Sequence, residues 1–348
     1  MRNLLRAAVL VPAVLAAACT SSARPASADG ALPWPSASPA SRGMDAGKID
    51  QMIGWMRASN LEFHAVVLLR GGALVREEYF PGWNRGSTQN VYSCTKSVLS
   101  ALCGIAQGEG RLPAVDARAL AFLPSGSPPA ADPRAAEITL DQLLSMSAGL
   151  PFMRAVDMAG ARDQTAFVLG KPLAQEPGAR FLYTSGGPQV VSALLQRATG
   201  MSARDYAKGK LFQPLGIQDW SWDTDGTGVT IGATNLTLSA MDLARLGFLY
   251  LHGGAWFGTQ VVPASWVKES TSLHARVTDM NRAEGSGYGY FWWVDEQWNG
   301  FSAHGAAGQF VFVVPRLDLV AVFTSGLSPD NFPVPWDLLK DYVLPACG

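Results

Sequence analysis

The sequence predicts an α/β fold in which an antiparallel β-sheet is flanked by helices and accompanied by a helical subdomain. Strand-like segments occur near both ends of the chain, whereas the long middle section shows the apolar spacing of helices. The chain has 348 residues, 48% of them hydrophobic, which suffices for one large core or two fused subdomains. One sheet built from both ends and covered by helices is the simplest arrangement of these elements.

The first residues are typical of an export signal. Arg2 and Arg6 precede an apolar run that ends in small residues before Cys19. We therefore predict a signal peptide at 1–18, with Cys19 as the lipidated first residue of a lipoprotein. Cleavage after Ala28, which would give simple secretion, is the alternative. In either case the protein is expected to be exported to the periplasm or cell envelope, and to meet a membrane only through this anchor.

A tether and one folded domain are predicted to follow. Residues 19–42 are rich in serine, alanine and proline, as flexible linkers are. The domain is assigned to 43–348. Its sheet is expected from 43–92 and 285–348, and its helical subdomain from about 97–255.

Individual elements follow from local patterns. Residues 44–59 have helical spacing, and two strand-like runs flank Gly71-Gly72, which predicts a hairpin. Further helical patterns occur at 93–107, 139–146, 187–198 and 240–251. The predicted strands near the end are 288–294, 309–315 and 319–326, and the closing helix is 336–344.

Charge and motif content exclude several classes of function. The formal net charge is −1, which gives no general affinity for nucleic acid. His64, His252 and His274 have no metal-ligand spacing with another histidine or cysteine, and no phosphate-binding glycine loop is present. We expect neither a metal nor an organic cofactor, and a small-molecule ester, amide or peptide as the substrate.

The segment VYSCTKSVLS places Ser93 three residues before Lys96, at the start of an apolar helix. Residues three apart share a helix face, so the amine can reach the hydroxyl. Burial disfavours the charged ammonium, and a neutral amine beside a serine makes that serine a nucleophile with its own base. A second Ser-x-x-Lys, at Ser265 and Lys268, lies in a polar setting, and Ser265 is interpreted as an ordinary helix N-cap.

Two further segments could complete such a site. Tyr183 and Ser185 lie on a loop before a helix, where the tyrosine could serve as a second proton carrier. In FSAHGAAGQFVFVVP, small residues lead into a strand, so that a substrate could lie against its edge. The N–H groups of Ser93 and Ala306 are the expected oxyanion donors. His304 could line the pocket, or it could be structural.

The cysteines leave two questions open. Cys94 and Cys103 are nine residues apart on one predicted helix, on opposite faces, and should not pair with each other. Cys103 could pair with Cys347 in an exported protein. Cys94 could itself be a catalytic thiol, although no histidine lies near it in the sequence.

The order of the three motifs resembles that of the penicillin-recognising serine hydrolases. This family includes class C β-lactamases, D,D-peptidases, and esterases and amidases such as 6-aminohexanoate-dimer hydrolases. Segments such as ITLDQLLSMSAGL and GAAGQFVFVVPRLDLVAVFTSG extend the likeness over roughly residues 36–345. The resemblance implies that Ser93 is acylated, that Lys96 takes its proton, and that Tyr183 relays protons. It also implies the β-lactamase/D,D-peptidase-like fold.

Two departures from the family pattern bear on the substrate. Tyr183-Thr184-Ser185 stands for the family's Tyr-x-Asn, and Ala303-His304-Gly305 stands for its Lys-Thr-Gly, with His304-Gly305-Ala306 as the other register. Ser185, His304, Gly305 and Ala306 are thus the candidate substrate-binding and oxyanion residues. The missing lysine makes efficient β-lactam hydrolysis doubtful, so an ester or amide hydrolase is expected. A β-lactamase, a D,D-carboxypeptidase and a non-catalytic penicillin-binding sensor are the alternatives.

Overall fold

The computed structural model describes residues 33–123, 129–277 and 286–348. Its helices are α1 (Ala46–Ala58), α2 (Cys94–Gly108), α3 (Leu140–Leu144), α4 (Ala155–Met158), α5 (Gln164–Leu169), α6 (Gly186–Thr199), α7 (Ala203–Ala207), α8 (Gln213–Leu215), α9 (Ala240–Leu251), α10 (Ala264–Ser270), α11 (Val334–Leu338) and α12 (Leu344–Ala346). Its strands are β1 (Phe63–Arg70), β2 (Ala73–Tyr79), β3 (Thr88–Asn90), β4 (Ser221–Trp222), β5 (Leu236–Ser239), β6 (Ala255–Trp256), β7 (Thr259–Gln260), β8 (Ala275–Arg276), β9 (Ser286–Tyr288), β10 (Trp293–Asp295), β11 (Gly300–Gly305), β12 (Gln309–Val314) and β13 (Leu319–Ser325).

The main sheet has eight strands in the order β2-β1-β13-β12-β11-β10-β9-β8. The pairs are antiparallel. Strands from near the beginning and the end of the chain meet where β1 pairs with β13, which confirms the predicted fold class. The predicted hairpin is also confirmed, because Gly71 and Gly72 both have positive φ and join β1 to β2.

The predicted helices are confirmed to within two residues at each end, and three of them begin with a side-chain cap. The Asp45 carboxylate accepts from the N–H groups of Gly47 and Lys48 at the start of α1. Thr139 begins α3 and Ser239 begins α9, each with a capping box. Ser265, which was expected to cap a helix, lies instead inside α10, which begins at Ala264 after Pro263. Short π segments join α7 to α8 and α11 to α12, so the closing helix is continuous.

Helices cover both faces of the main sheet. The α1 helix and the closing helix α11–α12 pack on one face, where they share a core with β1, β12 and β13. On the other face lie α2 and α9, and Gly247 of α9 is so close to the sheet that an added Cβ would lie 2.6 Å from Val320 Cγ1. Residues Cys94–Ala106 of α2 are buried without interruption. Helix α2 is therefore central, packed between the sheet and α6.

One predicted strand was wrong. Residues 288–294 are divided between β9 and β10, and the chain reverses between them through Phe291, which has a φ of +60°. The Phe291 carbonyl accepts from Ser97 Oγ at 2.7 Å, and its N–H donates to Leu144 O at 3.1 Å. These tertiary bonds hold a conformation that a local pattern of aromatic residues does not predict.

The predicted end of the tether at residue 42 is also corrected. Trp34 is only 3% exposed and packs edge-to-face on Phe248 and Trp256. Backbone bonds join Leu74 of β2 to Pro35 and Ala37. Residues 34–42 therefore belong to the folded domain. The predicted signal peptide and Cys19 lie outside the described residues, and within the described ranges no helix is long and apolar enough to cross a membrane.

The cysteine question left open by the sequence has a structural answer. Cys94 and Cys103 lie in the core on the face of the sheet that α2 and α9 cover, whereas Cys347 lies in the core on the face that α1 covers. All three are free and buried. Because the sheet separates Cys103 from Cys347, the suggested disulfide does not form.

Candidate active site

The hydroxyl of Ser93 is directed at Lys96. Ser93 precedes α2 with helical dihedral angles (φ −70°, ψ −8°), and its side chain caps no N–H of that helix. Instead, Lys96 Nζ lies 2.7 Å from Ser93 Oγ. One helical turn therefore brings the two groups together, as the sequence spacing predicted.

The residue before Ser93 is held in a conformation that non-glycine residues rarely adopt. Tyr92 has a φ of +47°, and its N–H donates to the Asn90 side chain at 2.8 Å. The preceding N–H, that of Val91, donates to Leu236 O at 2.9 Å. Such backbone strain costs about 1–3 kcal/mol and persists only where the surroundings fix it. Here it sets the position from which Ser93 enters α2.

The amine of Lys96 has a second fixed partner. Lys96 is 1% exposed, and its Nζ lies 3.0 Å from the carbonyl oxygen of Ala233. The amine is thus held between the Ala233 carbonyl and the Ser93 hydroxyl. This geometry suits a base that removes the serine proton.

Helix α6 holds the loop that supplies this carbonyl. Gln189 Oε1 accepts from the N–H of Gly232 at 3.0 Å, and Ser192 Oγ donates to Thr230 O at 2.7 Å. A Cβ on Gly232 would lie 2.1 Å from Pro188 O, so only glycine allows this approach. Sequence reasoning missed Ala233, because a backbone oxygen gives no signal in residue identity.

Tyr183 joins this pair. Its ring centroid lies 5.1 Å from Lys96 Nζ, and the ring stacks on Trp293 at 5.6 Å. The edge of Tyr288 contacts it from another side, with 6.2 Å between ring centroids. The structure thus brings the three predicted catalytic side chains into one place, although they come from distant parts of the chain.

The loop that carries Tyr183 is held on both sides. Thr184 Oγ1 donates to Pro151 O at 2.9 Å, and the Ser185 N–H donates to Met153 O at 2.8 Å. Ser185 precedes α6 and is buried. Its position two residues after Tyr183 matches the sequence prediction, and its contact with a substrate stays a prediction.

The β11–β12 hairpin contacts the chain just before and just after Ser93. A Cβ on Gly305 would lie 2.2 Å from Val91 O, and Cys94 Sγ lies 3.5 Å from Gln309 O. Strand β10 pairs with β11 only up to Ser302, so among the described strands the β10 side of residues 303–305 is left unpaired. This is the strand edge expected from the small residues. The exposed Ala306 follows directly.

His304 lies in an aromatic cluster. Its Nε2 is 2.7 Å from Ser302 Oγ, and its ring stacks on Trp293 with 5.2 Å between centroids. The ring centroid of Phe310 lies 4.6 Å from that of His304. The Trp293 indole is thus a shared neighbour of His304 and Tyr183, a connection that sequence reasoning did not identify. The burial of His304 favours the structural interpretation over pocket lining.

Comparison with known proteins identifies the family. A family profile described as Beta-lactamase matches residues 62–343. The chain belongs to this family. A 6-aminohexanoate-dimer hydrolase from Paenarthrobacter ureafaciens is 24% identical over 289 residues, which cover 77% of this chain and 74% of that protein.

Solved structures agree with the β-lactamase fold. A putative beta-lactamase from Bacteroides dorei has a TM-score of 0.72 at 20% identity, covering 86% of this chain and 99% of that one. EstCE1, a hydrolase with promiscuous acyltransferase activity, has a TM-score of 0.70 at 16% identity, with 88% and 98% covered. At these identities the likeness shows the fold alone. Family and relatives together indicate a hydrolase with the β-lactamase-like fold, acting on a small molecule or peptide.

Cys94, the alternative nucleophile, is not activated. Burial raises the pKa of its thiol far above neutrality. A thiol held protonated is a weak nucleophile. Among the described residues, no group of three or more His, Cys, Asp or Glu side chains could hold a metal ion.

Proposed function

We propose that this protein is a serine hydrolase that cleaves an ester or amide bond through an acyl-enzyme on Ser93. The observation that carries the proposal is the 2.7 Å contact between Ser93 Oγ and the Nζ of the buried Lys96. In a lysine–serine pair exposed to solvent, water would compete for both groups, and the amine would activate the hydroxyl much less.

Acylation follows from this contact. Lys96 Nζ takes the Ser93 hydroxyl proton as Oγ forms a bond to the substrate carbonyl carbon. The N–H groups of Ser93 and Ala306 are proposed to stabilise the oxyanion, which is the step where preorganised donors contribute most. As the carbon–leaving-group bond breaks, the proton reaches the leaving oxygen or nitrogen through Tyr183.

Deacylation uses the same groups in reverse. Water attacks the acyl carbon and loses a proton, which passes through Tyr183 to Lys96. The ester bond to Ser93 Oγ then breaks, and that oxygen takes a proton back from Lys96. Tyr183 is the candidate for this role because its ring centroid lies 5.1 Å from Lys96 Nζ.

The departure at Ala303 supports an ester or linear amide as substrate. The resemblance implies a lysine at this position in enzymes that hold the carboxylate of a β-lactam or of a D-Ala-D-Ala peptide, and a methyl group cannot replace it. The relative that is similar to this chain is named as a hydrolase of the 6-aminohexanoate dimer. Nitrocefin and a D-Ala-D-Ala peptide should therefore be turned over much more slowly than p-nitrophenyl esters.

The decisive variant is Ser93→Ala, assayed with a p-nitrophenyl ester. We expect a loss of at least about 10³-fold in kcat. Ser265→Ala is the matched control, since it removes the serine of the second Ser-x-x-Lys, where both side chains are exposed. Unchanged turnover in Ser93→Ala would remove Ser93 from its role.

A second experiment separates an enzyme from a sensor. Intact mass after addition of a slow ester substrate should show an acyl adduct on Ser93 that disappears with time. A stable adduct without release would favour the penicillin-binding sensor, which retains acylation but not deacylation.

Export is a separate proposal. We propose that Cys19 is lipidated after removal of residues 1–18, which would hold the domain at a membrane surface. Cys19→Ser should move the protein from the membrane fraction to the soluble fraction. Equal partition of both forms would favour cleavage after Ala28.

A further inference from the structure

We infer that Gln309 is a positioning residue that fixes the turn carrying the proposed oxyanion donor, the N–H of Ala306. This inference rests on the proposed function and extends it to a residue that no motif identifies. Gln309 begins β12, is 1% exposed, and lies where a β-strand core would ordinarily have an apolar side chain.

The turn between β11 and β12 needs support because its backbone is strained. Ala307 has a φ of +57°, in the left-handed region that an alanine rarely adopts. Three donors converge on the Ala307 carbonyl: Ser325 Oγ at 2.7 Å, the Leu327 N–H at 3.1 Å and Gln309 Nε2 at 3.2 Å. This carbonyl is therefore the point at which the turn is fastened to the end of β13.

The carboxamide of Gln309 is oriented by bonds to three residues. Its Nε2 donates to Ser325 O at 2.5 Å as well as to Ala307 O. Its Oε1 accepts from Gln89 Nε2 at 2.9 Å. With both amide hydrogens and the oxygen engaged, the carboxamide is fixed in one orientation.

The chain of bonds continues away from the turn to His64. Gln89 Oε1 bonds His64 Nδ1, and the imidazole stacks on Trp83 with 3.7 Å between ring centroids. With Nδ1 donating, every donor in this series points towards the turn, and hydrogen bonds aligned in this way strengthen one another.

The fastened turn also contacts the chain on both sides of Ser93. Gly305 abuts Val91 O on one side, and Gln309 O is the partner of Cys94 Sγ on the other. Gln309 therefore connects the turn both to β13 and to the first residue of α2. A shift of the turn would change the distance between the N–H groups of Ser93 and Ala306, and oxyanion stabilisation depends on that distance.

The test uses Gln309→Glu, which keeps the shape of the side chain and an acceptor for Gln89. It replaces the donor that faces the Ala307 and Ser325 carbonyls with an acceptor. Phenylboronic acid is the probe, since its adduct with a serine places an oxygen in the oxyanion position. We expect kcat to fall about 10- to 100-fold and the boronate inhibition constant to rise by a similar factor, while KM changes less than about 3-fold.

Two further variants separate positioning from general destabilisation. Ser325→Ala removes another donor to Ala307 O and should act in the same direction as Gln309→Glu. Thr199→Val removes a buried hydroxyl that bonds Leu195 O at 2.8 Å, far along α6. It should lower Tm but leave kcat and the boronate constant unchanged.

The outcomes distinguish this inference from the proposed function. If Ser93→Ala is inactive while Gln309→Glu and Ser325→Ala have wild-type kcat and boronate constants, the positioning role is wrong and the serine hydrolase stands. If kcat follows Tm equally in these variants and in Thr199→Val, the role of Gln309 is only structural. If Ser93→Ala retains activity, the proposed function itself fails.

Discussion

The amine of Lys96 is held in one position by its neighbours. Its Nζ contacts Ser93 Oγ and Ala233 O, with the Tyr183 ring beside it. We predict that Lys96→Met, which preserves length but not the nitrogen, lowers kcat/KM about 10²- to 10⁴-fold, the usual contribution of a general base. Ester hydrolysis measures this effect. Lys96→Arg should not restore activity, because a guanidinium cannot act as the base, and restored activity would contradict the assignment.

Gly305 is required at the hairpin because there is no space for a side chain. A Cβ there would lie 2.2 Å from Val91 O, two residues before the nucleophile. Gly305→Ala should therefore displace the hairpin from Ser93, costing about 1–3 kcal/mol of unfolding free energy together with most of the activity. Urea unfolding and ester turnover measure the two effects.

The control for this substitution is Gly54→Ala. Gly54 lies on the exposed face of α1, and a Cβ there would meet nothing within 4 Å. Alanine is the better helix former, so this variant should be more stable by about 0.5–1 kcal/mol with unchanged activity. Similar losses of stability and ester turnover in Gly305→Ala and Gly54→Ala would mean that Val91 O leaves room for a Cβ at residue 305.

At the scale of elements, a cluster of ionisable groups connects α3 to His274, which precedes β8, and to Tyr290, which follows β9. Asp141 Oδ1 accepts from Tyr290 OH at 2.7 Å and lies 3.4 Å from His274 Nδ1. The bond from His274, with help from Tyr290, lowers the pKa of Asp141 despite burial. Burial opposes a charged His274, but Asp141 and the Glu269 carbonyl outweigh it, so the pKa of His274 is raised.

These opposite shifts define a pH window. The raised pKa of His274 gives stability below its ordinary value of 6.5, which is lost as pH rises through the folded value. The lowered pKa of Asp141 gives stability above 3.8, which is lost as pH falls through its folded value. His274→Gln should thus lower Tm more at about pH 5.5 than at about pH 9. In an Asp141→Asn background the extra loss should become smaller, with Glu269 left as the remaining partner of His274. An equal loss at both pH values in the otherwise wild-type protein would contradict the coupling.

Elements with a local cause were predictable, and those with a tertiary cause were not. The Gly71-Gly72 hairpin and the helices follow from turn chemistry and apolar spacing, so their ends were predicted closely. The break at Phe291 and the turn at Ala307 have positive φ without glycine. Distant partners hold these conformations, and a local pattern does not contain those partners.

At the scale of the whole molecule, the candidate site draws on three distant parts of the chain. The spacing of Ser93 and Lys96 predicted their contact, because one helix carries both. Their proximity to Tyr183 and Gly305 followed only from family resemblance, since sequence separation carries no information on tertiary distance. The Ala233 carbonyl and the Gln309 carboxamide had no signal of either kind.

The segment before α1 is expected to contribute to global stability. Trp34 fills a site between Phe248 of α9 and Trp256. Trp34→Ala should therefore cost about 3–5 kcal/mol of unfolding free energy, as for other buried aromatic residues. Chemical denaturation checks this, with Trp55→Ala as control, since Trp55 is 41% exposed. Equal losses would mean that residues 34–42 are a tether after all.

The three unpaired cysteines have a practical consequence. Cys94, Cys103 and Cys347 lie in two cores on opposite faces of the sheet, and burial raises the pKa of each thiol. An alkylating reagent should thus modify Cys94 and Cys103, which are 0% exposed, only when the central core opens, whereas Cys347, which follows α12 and is 8% exposed, should react when this end of the chain frays. In a Cys19→Ser background, the rates at which the mass labels appear would therefore distinguish opening of the central core from fraying of the last helix, with no added dye and no denaturant.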